Sequence, residues 1–224
     1  LAIIYNYSGY PMVRELRRIV SEGNLGDLCH IEAEMPQEGF LRTDGDGNPG
    51  NPQAWRRKDG AIPVLYLDLA VHLHQLVYYL TGLSPLEVIG DHASYGYFGV
   101  VDYASYICRY RNGVKTQFHF TKSSLGMRNG LRVRLCGSNG TAEWIQTNPE
   151  ELLLCYADGR RELMDRSSGA SLASQARYNR FKAGHPAGFN EALANLYGDI
   201  YSTLINYRAQ GNQYSDEVFG PDLA

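Results

Sequence analysis

Four Asn-Gly or Asp-Gly pairs fall in one stretch of the chain: Asn112-Gly113, Asn129-Gly130, Asn139-Gly140 and Asp158-Gly159. Such pairs supply the positive φ angles of tight hairpin turns, and here they punctuate β-rich segments. From Pro85 onward the middle of the chain therefore reads as a largely antiparallel meander. Helical periodicity flanks it. A first helix is expected to open at Pro11, whose fixed φ and missing N–H suit the first helical position, and to close at Gly23, with Val13, Leu16, Ile19 and Val20 as its buried stripe. A second covers about Leu65 to Leu80. The last has Pro186 at its start and Gly211 at its end and carries Phe189, Ala192, Leu193, Leu196, Tyr197, Ile200 and Leu204 at spacings of three and four. Leu1 to Tyr7 and Asp27 to Glu38 read as strands, and Gly39 to Gly60, rich in Gly, Pro, Asn and Asp, as a long loop. Helices at both ends of one large sheet define an α+β architecture: a large, mostly antiparallel, open-faced sheet with helices on one face.

An open face needs an explanation. Of the 17 tyrosines, Tyr95, Tyr97, Tyr103, Tyr106 and Tyr110 fall in the meander. They are expected to give the uncovered face a surface of amphipathic rings suited to a protein–protein interface, the alternative being that they pack under loops of one monomer.

Composition removes several function classes. Lys+Arg 21 against Asp+Glu 24 leaves a net charge of -3, with no basic excess for phosphate backbones or anionic membranes, so neither nucleic acid nor a membrane is expected as a partner. No apolar run approaches the ~20 residues of a membrane span, and no signal-peptide pattern opens the chain. Cys29, Cys108, Cys136 and Cys155 are scattered singly, which fits reduced thiols and a cytoplasmic location. Because the chain opens on Leu1 directly in a strand pattern, a preceding portion is expected.

Two motifs mislead. Gly45-Asp46-Gly47-Asn48-Pro49-Gly50 spells G-x-G-x-x-G, but a dinucleotide fingerprint needs a strand before it and a helix after it, and Pro49 and Pro52 forbid that helix. Asp44, Asp46 and Asn48 begin like a calcium loop, yet Pro49 stands where the sharp-turn Gly belongs and Trp55 where the bidentate Glu belongs. His30, Glu32 and Glu34 line one face of a strand and read as a solvated stripe, and no metal site is expected.

Asp68 and His72 are four apart in the second helix, which places both on one face. A carboxylate beside an imidazole fixes its tautomer and raises its basicity, and such a pair can take the hydroxyl proton of an alcohol while hydride leaves the same carbon. On spacing alone a helical surface or capping pair is the competing reading. No serine or cysteine sits in a recognisable nucleophile elbow, so a hydrolase has little support.

The ordered set Tyr5-Asn6-Tyr7-Ser8-Gly9-Tyr10-Pro11-Met12-Val13, Gly23-Asn24-Leu25-Gly26-Asp27, Trp55-Arg56, Asp68-Leu69-Ala70-Val71-His72, Thr81-Gly82, Gly184-His185-Pro186-Ala187-Gly188-Phe189 and Ala194-Asn195-Leu196-Tyr197 resembles the C-terminal half of the Gfo/Idh/MocA family of NAD(P)-dependent oxidoreductases. The resemblance implies a dihydrodipicolinate reductase-like substrate and oligomerisation domain over residues 8–224, with residues 1–7 the remnant of an N-terminal Rossmann domain that is itself absent. It implies His72 as the proton-transfer residue and Asp68 as its orienter or a substrate contact. Trp55, Arg56, His185, Tyr10 and Asn6 would bind substrate, and NAD or NADP would be held mainly by the absent domain. The implied reaction passes hydride between nicotinamide and a secondary hydroxyl of a sugar, cyclitol or related polyol, in a homodimer or homotetramer formed through the open sheet face. This chain alone would then be inactive. Val64, Leu65, Tyr66, Leu67 and Ala70 stand in a stretch where many members carry glycines, which favours the alternative of a non-catalytic binding or oligomerisation module on the same fold.

Overall fold

The computed structural model describes residues 2–210. Helix α1 (Pro11–Ser21) is followed by strand β1 (Leu28–Pro36), helix α2 (Val71–Thr81) and strands β2 (Pro85–Ala93), β3 (Tyr103–Tyr110), β4 (Lys115–Thr121), β5 (Arg132–Gly137), β6 (Gly140–Ile145), β7 (Glu151–Tyr156) and β8 (Arg161–Asp165). Helix α3 (Phe189–Gln210) comes last. The eight strands form one sheet in the order β2-β3-β4-β1-β5-β6-β7-β8. Every pairing is antiparallel except that of β1 with β4. The expected α+β layout with a mostly antiparallel, open-faced sheet is thus the observed one.

Alternation along the strands decides which side is covered. Ile31, Ala33 and Met35 of β1, Phe118 and Phe120 of β4, and Val133 and Leu135 of β5 point to one face and are buried there. Helix α1 lies against β6 and β7 on this face, and α2 lies against β1. Pro11 starts α1 as expected, Val13, Leu16 and Ile19 are buried, and Gly23 follows the helix at φ 72°. At ~25 cal/mol per Å² of apolar surface, each such fully buried side chain contributes on the order of 2 kcal/mol.

Parity also corrects the tyrosine surface. Tyr106 and Tyr110 share the inward face of β3 and are buried, whereas Tyr103 is on the outward face and Tyr95 and Tyr97 stand exposed in the loop before it. Residues three apart in a strand point to opposite sides, so these rings could not share one face. A ladder of ion pairs crosses the open face instead. Glu32 meets Arg134 at 2.7 Å, Glu34 meets Arg132 at 3.0 Å, and Arg134 also bonds Glu143. Exposed Ile89 and Ile107 lie at one end of this face and Leu163 at the other.

Two further expectations change. Residues 2–5 form no strand: a 3-10 turn over Asn6–Gly9 leads into α1, and Leu1 lies outside the described residues. Helix α3 lies on that turn rather than on the sheet. Its buried stripe is Ala192, Asn195, Leu196, Asp199 and Thr203, while Phe189, Tyr197 and Leu204 are exposed. Two of its polar members, Asn195 and Asp199, are buried with partners, whereas the Thr203 hydroxyl has none. Asn195 donates to the Gly9 carbonyl at 2.9 Å, and the buried Arg14 of α1 meets Asp199 at 2.6 Å while donating to the Tyr178 hydroxyl and the Ser8 carbonyl. Gly211, the expected helix end, lies outside the described residues.

All four cysteines are free thiols. Among the described residues no helix is long and apolar enough to cross a membrane.

Candidate active site

The helical run that carries Asp68 and His72 covers 64–81, but it is not uniformly α-helical. Tyr66–Ala70 is π-helical, and α2 continues from Val71. Bonding from i to i+5 widens that turn, and such insertions are frequent at functional sites. Asp68 sits in the middle of the wide turn and makes no hydrogen bond to Nδ1 of His72.

Asp68 is engaged elsewhere. Arg56, from a 3-10 turn over Ala54–Arg57 in the long loop, grips it with two nitrogens: Nη2 donates to Oδ1 at 3.0 Å and Nε lies 2.9 Å from Oδ2. From the other side Nζ of Lys122, just past the end of β4, lies 2.5 Å from Oδ2. Asp68 is 12% exposed and Lys122 7%. Burial pushes the Asp68 carboxyl up, but the two cations outweigh it and hold the group below the usual carboxylate range. An ionised carboxylate between two cations leaves the cluster one positive charge in excess.

His72 is half-buried, with the rings of Tyr5 and Tyr7 set edge-on to it at 5.7 and 5.4 Å. Its Nδ1 is buried and has no hydrogen-bond partner. Burial lowers the imidazole from its ordinary value, and the Asp68 charge offsets part of that shift. On balance the surroundings favour the uncharged ring. A neutral imidazole near a cationic cluster can accept a proton, and the unpartnered nitrogen costs about 1–3 kcal/mol that a well-satisfied core would not bear.

The other residues singled out from sequence divide. Arg56 is part of the cluster, and the Trp55 ring, 51% exposed, lies under its guanidinium at 4.8 Å. Asn6 lies in the turn that brings Tyr7 to His72. Tyr10 is 2% exposed, tilted against Trp144 at 5.1 Å, and so forms the floor below Tyr7 rather than a surface that a substrate meets. His185 is exposed in the segment before α3, and its carbonyl accepts from Arg166 beyond β8. Lys122 was missed by sequence reasoning although a signal existed. It continues the inward parity of Thr116, Phe118 and Phe120, and a charged residue at an inward position needs a partner.

Neither of two cavities touches Asp68 or His72. One, of about 300 Å³, lies on the opposite side of the helix and is lined by Tyr66, His74, Val88, Gly90 and Tyr106; the other, of about 10 Å³, lies among Arg166, Arg177, Tyr178 and the start of α3. His74 faces the first, its Nε2 2.7 Å from the Tyr106 hydroxyl.

The glycine-rich stretch at 45–50 does not fit a pyrophosphate. The Asp44 carboxylate takes the backbone N–H groups of Asp46 and Asn48 at 3.0 and 2.9 Å, closing a turn with no helix behind it. The described residues contain no group of three or more His, Cys, Asp or Glu placed to hold a metal ion.

Residues 13–143 match the family model of the GFO/IDH/MocA C-terminal domain. The chain belongs to that family. As a GFO/IDH/MocA C-terminal domain it is 26% identical over its whole length to an uncharacterized oxidoreductase, YfiI, of Bacillus subtilis (strain 168), of which it covers 58%. It is similar to an oxidoreductase from Sinorhizobium meliloti at 28% identity and a TM-score of 0.77, covering 98% of this chain and 56% of that one. An inositol dehydrogenase homolog from Azotobacter vinelandii, solved with NADH and myo-inositol, shares the fold at a TM-score of 0.80 and 20% identity over 95% of this domain and 56% of its own length. The domain thus spans a little over half of these relatives.

Proposed function

We propose that the full-length protein is an NAD(P)-dependent oxidoreductase acting on a secondary hydroxyl of a sugar, cyclitol or related polyol, and that this chain is its substrate-binding and oligomerisation half. The reading is carried by His72, a neutral imidazole beside an ionised carboxylate on a π-helical turn. The nicotinamide, which takes the hydride from the carbinol carbon, would be held by a part of the protein outside these residues. The turn at 45–50 does not fit it, which supports that reading. In this reading His72 accepts the hydroxyl proton, and because Nδ1 is buried the accepting atom is Nε2. Trp55 offers an exposed ring to the apolar face of a sugar, and Asn6 and His185 would add further substrate contacts. Orienting the two reactants supplies much of the catalysis, so this chain alone has no turnover.

Full-length protein should reduce NAD+ or NADP+ with members of a sugar and polyol panel, and His72→Ala should lower kcat by about 10²-fold or more while leaving cofactor affinity intact. Turnover by His72→Ala at the parent rate would remove His72 from this role. One observation favours a second reading, a binding or oligomerisation module without turnover: neither cavity is lined by His72 or Asp68. That module would assemble normally and reduce neither cofactor with any member of the panel.

A further inference from the structure

The buried Nδ1 of His72 lacks a partner although a carboxylate lies one turn away on the same helical run. An acceptor that near a buried imidazole nitrogen ordinarily takes its N–H, because leaving the nitrogen unsatisfied costs more than the rotation that satisfies it. Here the carboxylate is held off by Lys122 and Arg56, which contact both of its oxygens. Lys122 is fixed in turn. Its ammonium lies 3.4 Å from Oε1 of Gln37 at the end of β1 and 5.5 Å from the centre of the Phe40 ring, and the backbone N–H of Phe40 donates to the Lys122 carbonyl at 2.8 Å. The lysine therefore joins the rigid end of the sheet to the wide turn of the helix.

We propose that Lys122 is a positioning residue which, together with Arg56, holds the Asp68 carboxylate off Nδ1 of His72 and thereby sets how strongly His72 binds a proton. The role of His72 itself rests on the function proposed above; the Lys122 effect does not need turnover to be seen. Asp68 faces the imidazole from its own helical run, and Tyr5 and Tyr7 face it from the leading segment. Lys122 from β4 and Arg56 from the long loop act through Asp68. His74, on the far side of the helix, is engaged with Tyr106. Removing the Lys122 charge leaves Asp68 with one cation and a free lone pair. Both changes favour protonated imidazole: the local field becomes more negative, and the carboxylate can turn to accept from Nδ1.

The test is a proton titration of the His72 ring by carbon-edited NMR on this 224-residue chain, with the signal assigned from His72→Gln. Lys122→Met should shift the His72 midpoint upward, and Lys122→Arg, which keeps the charge, should return it toward the parent value. Adding Asp68→Asn to Lys122→Met should cancel the upward shift. If Lys122→Met loses the folded spectrum, Lys122→Gln, which keeps a polar contact to Gln37, carries the same expectation. An unchanged midpoint in a folded Lys122 variant overturns the proposal. So does a shift that persists after Asp68→Asn, because the lysine would then act on His72 by another route. Failure of His72→Ala to affect turnover would sink the assigned reaction while leaving this titration result standing.

Discussion

A Cβ placed on Gly9 would sit 2.1 Å from the carbonyl oxygen of Ala192, so the 3-10 turn and α3 touch backbone to backbone. The obstacle is main chain and cannot swing aside. Gly9→Ala should push α3 off its seat and cost about 1–3 kcal/mol, read as a lower urea midpoint. Faster hydrogen exchange in α3 than in the sheet would show that the loss is local, and a parent-like midpoint would contradict the close contact.

The Arg14–Asp199 pair fastens the same helix to α1 from inside. Asp199→Ala removes a carboxylate 2.6 Å from a buried guanidinium and should cost about 3–5 kcal/mol. Replacing both, as Arg14→Met with Asp199→Leu, should cost less than Asp199→Ala alone. A double variant worse than the single one would mean that the pair holds more than its own two charges.

Glu15 makes stability depend on pH. It is fully buried, and burial pushes its carboxyl up. The N–H of Ala173, the Arg18 guanidinium and the N–H groups of Ser171 and Leu172 together outweigh that and hold it below the ordinary carboxylate range. A carboxyl lowered on folding contributes stability above its unfolded value and loses it as pH falls through the folded one. Glu15→Gln should cost about 1–3 kcal/mol at neutral pH. The gap between variant and parent urea midpoints should close as pH falls below the ordinary carboxylate range, and a gap that stays constant would exclude the linkage.

Assembly through the open sheet face is part of the proposed function. Ile107 is exposed there beside Ile89, its cross-strand partner. Ile107→Asp would bury an unpaired charge in such an interface and should turn dimers or tetramers into monomers by light scattering, with the circular dichroism of the sheet unchanged. A parent protein that is monomeric at high concentration would remove the interface itself.

Local chemistry was legible from sequence wherever a residue's neighbours in the chain decide its conformation. Pro11 and Gly23 bound α1, and Asn112-Gly113, Asn139-Gly140 and Asp158-Gly159 fall where strands turn back. What stayed hidden depends on residues far apart in the chain. Helix α3 was expected to bury its apolar stripe, yet Asn195 and Asp199 are inside because Gly9 and Arg14 wait for them. Asp68 was assigned to its helical neighbour His72, yet Lys122 and Arg56 reach it from a strand end and a loop. The π-helical turn that rotates it toward them has no sequence signature in Tyr66-Leu67-Asp68-Leu69-Ala70. The tyrosine face failed for a simpler reason, since the parity of positions 103, 106 and 110 already separates the rings.

Strand β1 is made early and satisfied late. One of its edges bonds to β4 and the other to β5, so its backbone groups stay unpaired until the chain has run through the long loop, α2 and three further strands. During synthesis both edges of that nascent strand are exposed, and closing the centre of the sheet is a long-range event of the kind that slows folding and invites association between unfinished chains.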